Sequence, residues 1–154
     1  MKRSNFYIRF FVLVLMFVSP MLMAQVGTTT KSAKELVAEA KKQIENLTPQ
    51  QVQDELAKGN AVLIDLRESE ELKKSGRIEG AIHAPRGMLE FYADPEMPYY
   101  KPEFDKNKRI ILHCASGGRS ALAVTTLKGM GFTNVAHLDG GLKAWKESGK
   151  PIVE

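Results

Sequence analysis

The sequence predicts an α/β domain with a mostly parallel central sheet and helices on both of its faces. Three short apolar runs, 61–66, 109–114 and 134–138, have the continuous hydrophobicity of strands covered on both sides. Segments of helical periodicity lie between them, and no two-residue hairpin turn joins any pair. Strands that alternate with helices and lack hairpins belong to a parallel sheet built from crossover connections. The chain has 154 residues, enough for one domain with a sizeable core.

The elements follow in order. Residues 1–24 carry Lys2, Arg3 and Arg9 and no acid, then an apolar run from Phe10 to Val18, a Ser19-Pro20 break, and Met21 to Met23 ahead of Ala24. This is the layout of a secretory signal peptide, with Leu22-Met23-Ala24 as the cleavage site. The apolar run falls short of the roughly 20 residues a spanning helix needs. The expectation is export to the periplasm or medium, with no membrane attachment after cleavage; an uncleaved anchor is the alternative. Residues 25–47 form a polar start followed by an amphipathic helix over Ser32 to Leu47, with Leu36, Val37, Ala40, Ile44 and Leu47 on one stripe. The domain proper is expected over 48–154. Thr48-Pro49 caps a helix that stops at Gly59. The first strand is 61–66. A short helix over 69–74 follows, then a short strand within 78–84 and a helical turn near 86–92. Residues 94–107 are rich in Pro, Tyr and charge and read as a surface loop. A strand over 109–114, a helix over 120–130 closed by Gly131, a strand over 134–138 and a helix over 141–148 complete the chain.

Composition narrows the function. The formal charge is +4, but three of the 22 basic residues and none of the 18 acidic ones lie in the leader. The remainder is close to neutral, so nucleic acid is not an expected partner. The single Cys excludes an internal disulfide framework and a CxxC zinc site. In an oxidising compartment a lone Cys is buried and inert, paired with another molecule, or a working thiol.

The chemistry-bearing stretch is Ile110-Ile-Leu-His-Cys-Ala-Ser-Gly-Gly-Arg-Ser120. A buried strand ends at Cys114, a loop with two glycines follows, and a helix begins near Arg119-Ser120. Ligands of open α/β sheets bind beyond the carboxyl ends of the strands. Gly117 and Gly118 permit positive φ, so that the N–H groups of Ala115, Ser116, Gly117 and Gly118 converge on one point. The helix start adds partial positive charge and Arg119 a full one. Such a cradle favours thiolate over thiol at Cys114 and also holds an anionic substrate against the sulfur.

Four stretches carry a family resemblance. Val62-Leu-Ile-Asp-Leu-Arg67, Gly76-Arg-Ile-Glu-Gly-Ala-Ile-His-Ala-Pro85, Cys114-Ala-Ser-Gly-Gly-Arg119-Ser and Asp139-Gly-Gly-Leu-Lys-Ala-Trp145, with Gly149-Lys-Pro151 after it, occur in order across 48–152. In this the chain resembles a single-domain rhodanese, a sulfurtransferase module; Arg77 stands where the family usually has His. The resemblance implies that sulfane sulfur moves from thiosulfate or a related small anionic donor to Cys114, which becomes a persulfide, and on to cyanide, a thiol or a protein acceptor. It implies no metal and no organic cofactor, and a monomer suffices.

Two other readings stay open. Cysteine phosphatases and arsenate reductases place five residues between Cys and Arg; here Ala115 to Gly118 make four. A shorter ring of N–H groups suits one sulfur atom better than a tetrahedral phosphate. A non-catalytic binding module is the third reading, whose usual mark is loss of the Cys. Arg86, after Ala84-Pro85, either faces the cleft and binds the donor or lies on the surface. Ser116 and Ser120 either donate to the sulfur or cap the helix. Asp65 and Arg67 read as structural. His83, His113 and His137 lack ligand spacing, so no metal site is expected.

Overall fold

The computed structural model describes residues 30–154 apart from residue 60. The signal-peptide reading of 1–24 therefore lies outside the described residues. Lys31–Glu154 forms one compact unit. Its elements are α1 (Ala33–Gln43), β1 (Glu45–Leu47), α2 (Pro49–Ala57), β2 (Ala61–Asp65), α3 (Ser69–Ser75), β3 (Ile82–His83), a 3-10 turn (Arg86–Met88) running into α4 (Leu89–Ala93), β4 (Arg109–His113), α5 (Gly118–Gly129), β5 (Val135–Leu138) and α6 (Gly141–Glu147).

The five strands lie in the order β1-β5-β4-β2-β3, and every pairing is parallel. The α/β architecture expected from the sequence is the one observed. Side chains alternate across the sheet with the two-residue period of a strand. Ile64, Ile110 and Leu112 face a layer with Leu89, Ala93, Ala123, Val124 and Leu127, which belong to α4 and α5. Leu63 and Ile111 face the opposite layer, with Val52 of α2 and Leu142 and Trp145 of α6. Both layers are needed because a strand such as Arg109–His113 is apolar on each face.

Residues 31–47 are part of this body. Ser32 and Thr48 each accept from the backbone N–H three residues on and close capping boxes with Glu35 and Gln51, which fixes where α1 and α2 begin. Residues 45–47, where the apolar spacing predicts the last turn of a helix, instead form edge strand β1, in register with Ala136, His137 and Leu138 of β5. Ile44 and Leu47 lie three residues apart, which fits a helix, but their burial is satisfied on either side of a short strand. The 94–107 connection is pinned by Phe104, which is buried in the core.

The winding of the sheet reverses between β2 and β4. From β2 the chain moves to β3 on one side; from β4 it moves to β5 on the other. Right-handed crossovers in opposite directions lie on opposite faces, so α3 and α5 diverge from adjacent strand ends and leave a crevice.

At the β2 end of that crevice Asp65 and Arg67 form an ion pair of 2.6 Å, each side chain 1% exposed. Arg67 also donates to Ser75 Oγ at 2.9 Å and to the Gly76 carbonyl at 2.9 Å. Burial pushes the Asp65 carboxyl up, but the Arg67 hydrogen bonds and the neighbouring His113 prevail and hold it below its ordinary value. Removing one member of a buried pair strands the other charge. Arg67→Ala is expected to lower unfolding free energy by about 3–5 kcal/mol in urea titrations, and Asp65→Ala to do the same.

Candidate active site

Cys114 is the first residue after β4 and sits at the crevice where the winding reverses. The loop that follows is fixed by α6. The backbone N–H of Leu142 donates to the Cys114 carbonyl at 2.8 Å, and that of Lys143 to the Ala115 carbonyl at 3.0 Å. The first N–H groups of a helix have no partner inside it, and here two of them find the loop. Because the peptide unit is planar and trans, the N–H groups of Ala115 and Ser116 point away from α6. Gly117 adopts φ +88° and turns its N–H onto Cys114 Sγ at 3.2 Å. Gly141 makes the close approach possible: at φ +59°, a Cβ there would stand 2.4 Å from the Cys114 carbonyl oxygen.

Of the residues expected at the site, the structure gathers Cys114, Ala115, Ser116, Gly117, Gly118 and Arg119 into this one loop and helix start. The sulfur itself is enclosed; Cys114 is 1% exposed. Arg119 reaches across the crevice to α3, where both of its terminal nitrogens donate to Glu71 at 2.7 Å. The Arg119 hydrogen bonds hold the Glu71 carboxyl down at about 2, and Glu71 in turn raises Arg119 above the ordinary guanidinium range, with Cys114 adding to the effect. Beside the loop lies a cleft of about 350 Å³ bordered by Glu71, Ala115, Leu142 and the cations Lys74, Lys143 and Lys146.

Arg86 is not brought to the loop. Its guanidinium donates to Glu90 at 3.0 Å and to Thr126 Oγ1 at 3.2 Å. Thr126 lies eight residues into α5 from Gly118, about 12 Å along the helix at 1.5 Å per residue. The position after Pro85 lies near the strand ends, but the side chain turns to α4 and α5, where a carboxylate and a hydroxyl await it.

Sequence reasoning singled out Ser120 beside the sulfur, as a donor or a cap, but not the groups behind it. The Cys114 thiol donates to Ser120 Oγ at 3.7 Å, and Ser120 Oγ is 3.0 Å from His137 Nδ1. His137 Nε2 is 2.8 Å from Asn46 Oδ1, its register partner on β1. These residues are far apart in the chain, so only the strand pairing reveals them. His83 Nε2 lies 2.8 Å from the Arg67 carbonyl. His113 is fully buried, 3.4 Å from the Asp65 carboxylate, and its ring nitrogens have no hydrogen-bond partner among the described residues. No group of His, Cys, Asp and Glu able to hold a metal occurs among the described residues.

Burial pushes the His137 imidazole down to about 4, against the pull of Asp139 and with help from Lys41. The unfolded chain's imidazole titrates near 6.5, so between about 6.5 and 4 the unfolded state binds more protons. Stability is complete above that window and falls as pH falls through it. Burial of His113 acts in the same direction. Thermal midpoints taken from pH 8 to pH 5 are expected to drop, with a shallower drop in His137→Gln.

Known proteins carry the same architecture. The family model for the rhodanese-like domain matches residues 48–148. A chloroplastic thiosulfate sulfurtransferase of Arabidopsis thaliana is 37% identical over 92 residues, which cover 57% of this chain and 76% of that one. A sulfurtransferase of Allochromatium vinosum is 31% identical over 94 residues, covering 61% of this chain and 79% of its own. A solved structure from Rhodopseudomonas palustris, described as a protein of unknown function and possible tyrosine phosphatase, superposes with a TM-score of 0.75 at 40% identity, covering 80% of this chain and 95% of the other. With the family match extending over most of the chain and the Cys loop in its expected place, this protein belongs to the rhodanese-like domain family.

Proposed function

We propose that the protein is a sulfurtransferase that carries sulfane sulfur on Cys114, taking it from a small anionic donor such as thiosulfate and giving it to cyanide or a thiol. The observation that carries this reading is the Cys114 loop: a sulfur at the strand end of the winding switch, 3.2 Å from the Gly117 N–H and flanked by Arg119. The Cys114 thiolate attacks the outer sulfur of the donor. A new S–S bond forms, the donor's S–S bond breaks, and the leaving group departs with its electron pair, as sulfite if the donor is thiosulfate. The acceptor then attacks the outer sulfur, and Cys114 leaves as thiolate. An outer sulfur carrying negative charge is the species a short N–H ring accommodates.

Arg119 and the cleft lysines provide the charge that draws an anionic donor. Arg119 is occupied by Glu71 at rest, so a donor takes the carboxylate's place. A pair with both side chains 35% exposed is worth at most about 1 kcal/mol, or about fivefold in an equilibrium. Glu71→Gln is therefore expected to lower KM for thiosulfate by about fivefold at little change in kcat. An unchanged or higher KM would remove Glu71 from the donor's path.

The phosphatase reading gains no support from the loop, which has four residues between Cys114 and Arg119 where that chemistry uses five. The leader-like residues 1–24 support action outside the cytoplasm, which fractionation of the expressed full chain tests. The activity itself is tested by thiocyanate formation from thiosulfate and cyanide. The full chain is expected to turn over and Cys114→Ala to lose turnover; equal rates in the two proteins would refute the reading.

A further inference from the structure

Behind Cys114 the hydrogen bonds run in one direction. Asn46 spends both Nδ2 hydrogens on the carbonyls of Lys41 at 2.8 Å and Ile44 at 3.1 Å. Only its Oδ1 is left to face His137 Nε2, at 2.8 Å. That oxygen accepts and cannot donate, so Nε2 carries the hydrogen. A neutral imidazole then has its lone pair at Nδ1. Ser120 Oγ lies 3.0 Å from Nδ1, closer than the 3.2 Å to its other acceptor, the Gly117 carbonyl, and so donates to the ring. The hydroxyl's lone pairs are left for the Cys114 S–H, which donates at 3.7 Å. Every donor points from the sulfur toward Asn46. Cys114 is 1% exposed and His137 0% exposed.

We propose that Ser120 and His137 form a proton relay for Cys114, and that Asn46 sets its direction by fixing the imidazole tautomer. The proposal rests on the sulfurtransferase reading only in taking Cys114 as the nucleophile. To form the attacking thiolate, the S–H proton passes to Ser120 Oγ while the Ser120 hydroxyl proton passes to His137 Nδ1. The S–H and O–H bonds break, new O–H and N–H bonds form, and the electron pair stays on sulfur to make the S–S bond. When the acceptor removes the outer sulfur, the returning thiolate takes the proton back along the same path. The charged groups facing His137 are Asp139 and Lys41, paired with each other. Those facing Cys114 are Arg119 and, through it, Glu71. Asp139 favours the transient imidazolium, while burial and Lys41 oppose it, so the proton rests on His137 only in passing. Ser120 and His137 are positioning residues in this scheme, since neither touches the donor. Asn46 and Lys41 precede residue 48, where the family match begins, so the far end of the relay belongs to this chain's own amino-terminal segment.

The test is the rate of Cys114 alkylation by iodoacetamide, a neutral probe, from pH 5 to pH 10 in the full chain. Glutamine at 137 keeps an acceptor and a donor but takes up no proton. At pH 6, His137→Gln and Ser120→Ala are each expected to react at least about tenfold more slowly than the natural chain. Above pH 9, where hydroxide removes the proton, the three rates are expected to converge. Asn46→Asp, which places a carboxylate against the Nε2–H, is expected to raise the rate at pH 6. Superimposable profiles for the natural chain and His137→Gln would overturn the relay. So would a loss in Ser120→Ala that is equal at all pH values, the mark of a structural role; Ser120→Ala also keeps the test alive if His137→Gln fails to fold by circular dichroism. An unchanged rate in Asn46→Asp would remove Asn46 from the scheme. Mass spectrometry of the natural chain after thiosulfate alone separates the two claims. Sulfur loading with flat profiles sinks the relay and leaves the sulfurtransferase reading standing. No loading with diverging profiles does the reverse.

Discussion

The reversal of winding between β2 and β4 is the constraint on which the molecule depends. Two adjacent parallel strands end side by side, yet their chains must leave toward opposite faces. The strand ends are therefore uncovered by any continuous connection, and polar groups can be held there with backbone around them on all sides. At the end of β2 the space is filled by Arg67, buried and bonded to Asp65, Ser75 and Gly76. At the end of β4 it is filled by Cys114 and its loop. The same geometry brings Glu71 of α3 and Arg119 of α5 face to face over the crevice.

Rigidity of the site comes from hydrogen bonds that each satisfy two needs at once. The start of α6 needs acceptors for its free N–H groups, and the Cys114 and Ala115 carbonyls need donors. Meeting both demands orients the loop peptides and brings the chain so close at Gly141 that no side chain fits. On the other side of the loop, the β1–β5 register places Asn46 opposite His137, and the buried imidazole connects the sheet edge to Ser120. The proposed sulfur chemistry draws on both sides: the Gly117 N–H toward the sulfur from one, a path for its proton on the other.

Much of this was legible in the sequence because the signals were local. The runs at 61–66, 109–114 and 134–138 are strands because they are apolar on both faces, and the Cys-to-Arg loop reads as a cradle because its glycines and the following helix are contiguous. What was not legible depends on distant partners. Arg86 lies at the right end of the sheet, but Glu90 and Thr126 decide where its guanidinium goes. Residues 45–47 have helical spacing, and pairing with β5 makes them a strand. Glu71 is an ordinary surface acid in the sequence until α3 and α5 meet, and no spacing links Asn46, Ser120 and His137.

The central claim is that the sulfur is carried covalently on Cys114 between two half-reactions. The most direct measurement is the intact mass of the protein after exposure to thiosulfate with no acceptor, followed by addition of a thiol. The account predicts one added sulfur atom, located at Cys114 by peptide mapping and absent from Cys114→Ala, which disappears when the thiol is added. An unchanged mass in a preparation that still makes thiocyanate when cyanide is present would contradict it, because the sulfur would then pass from donor to acceptor without resting on the protein.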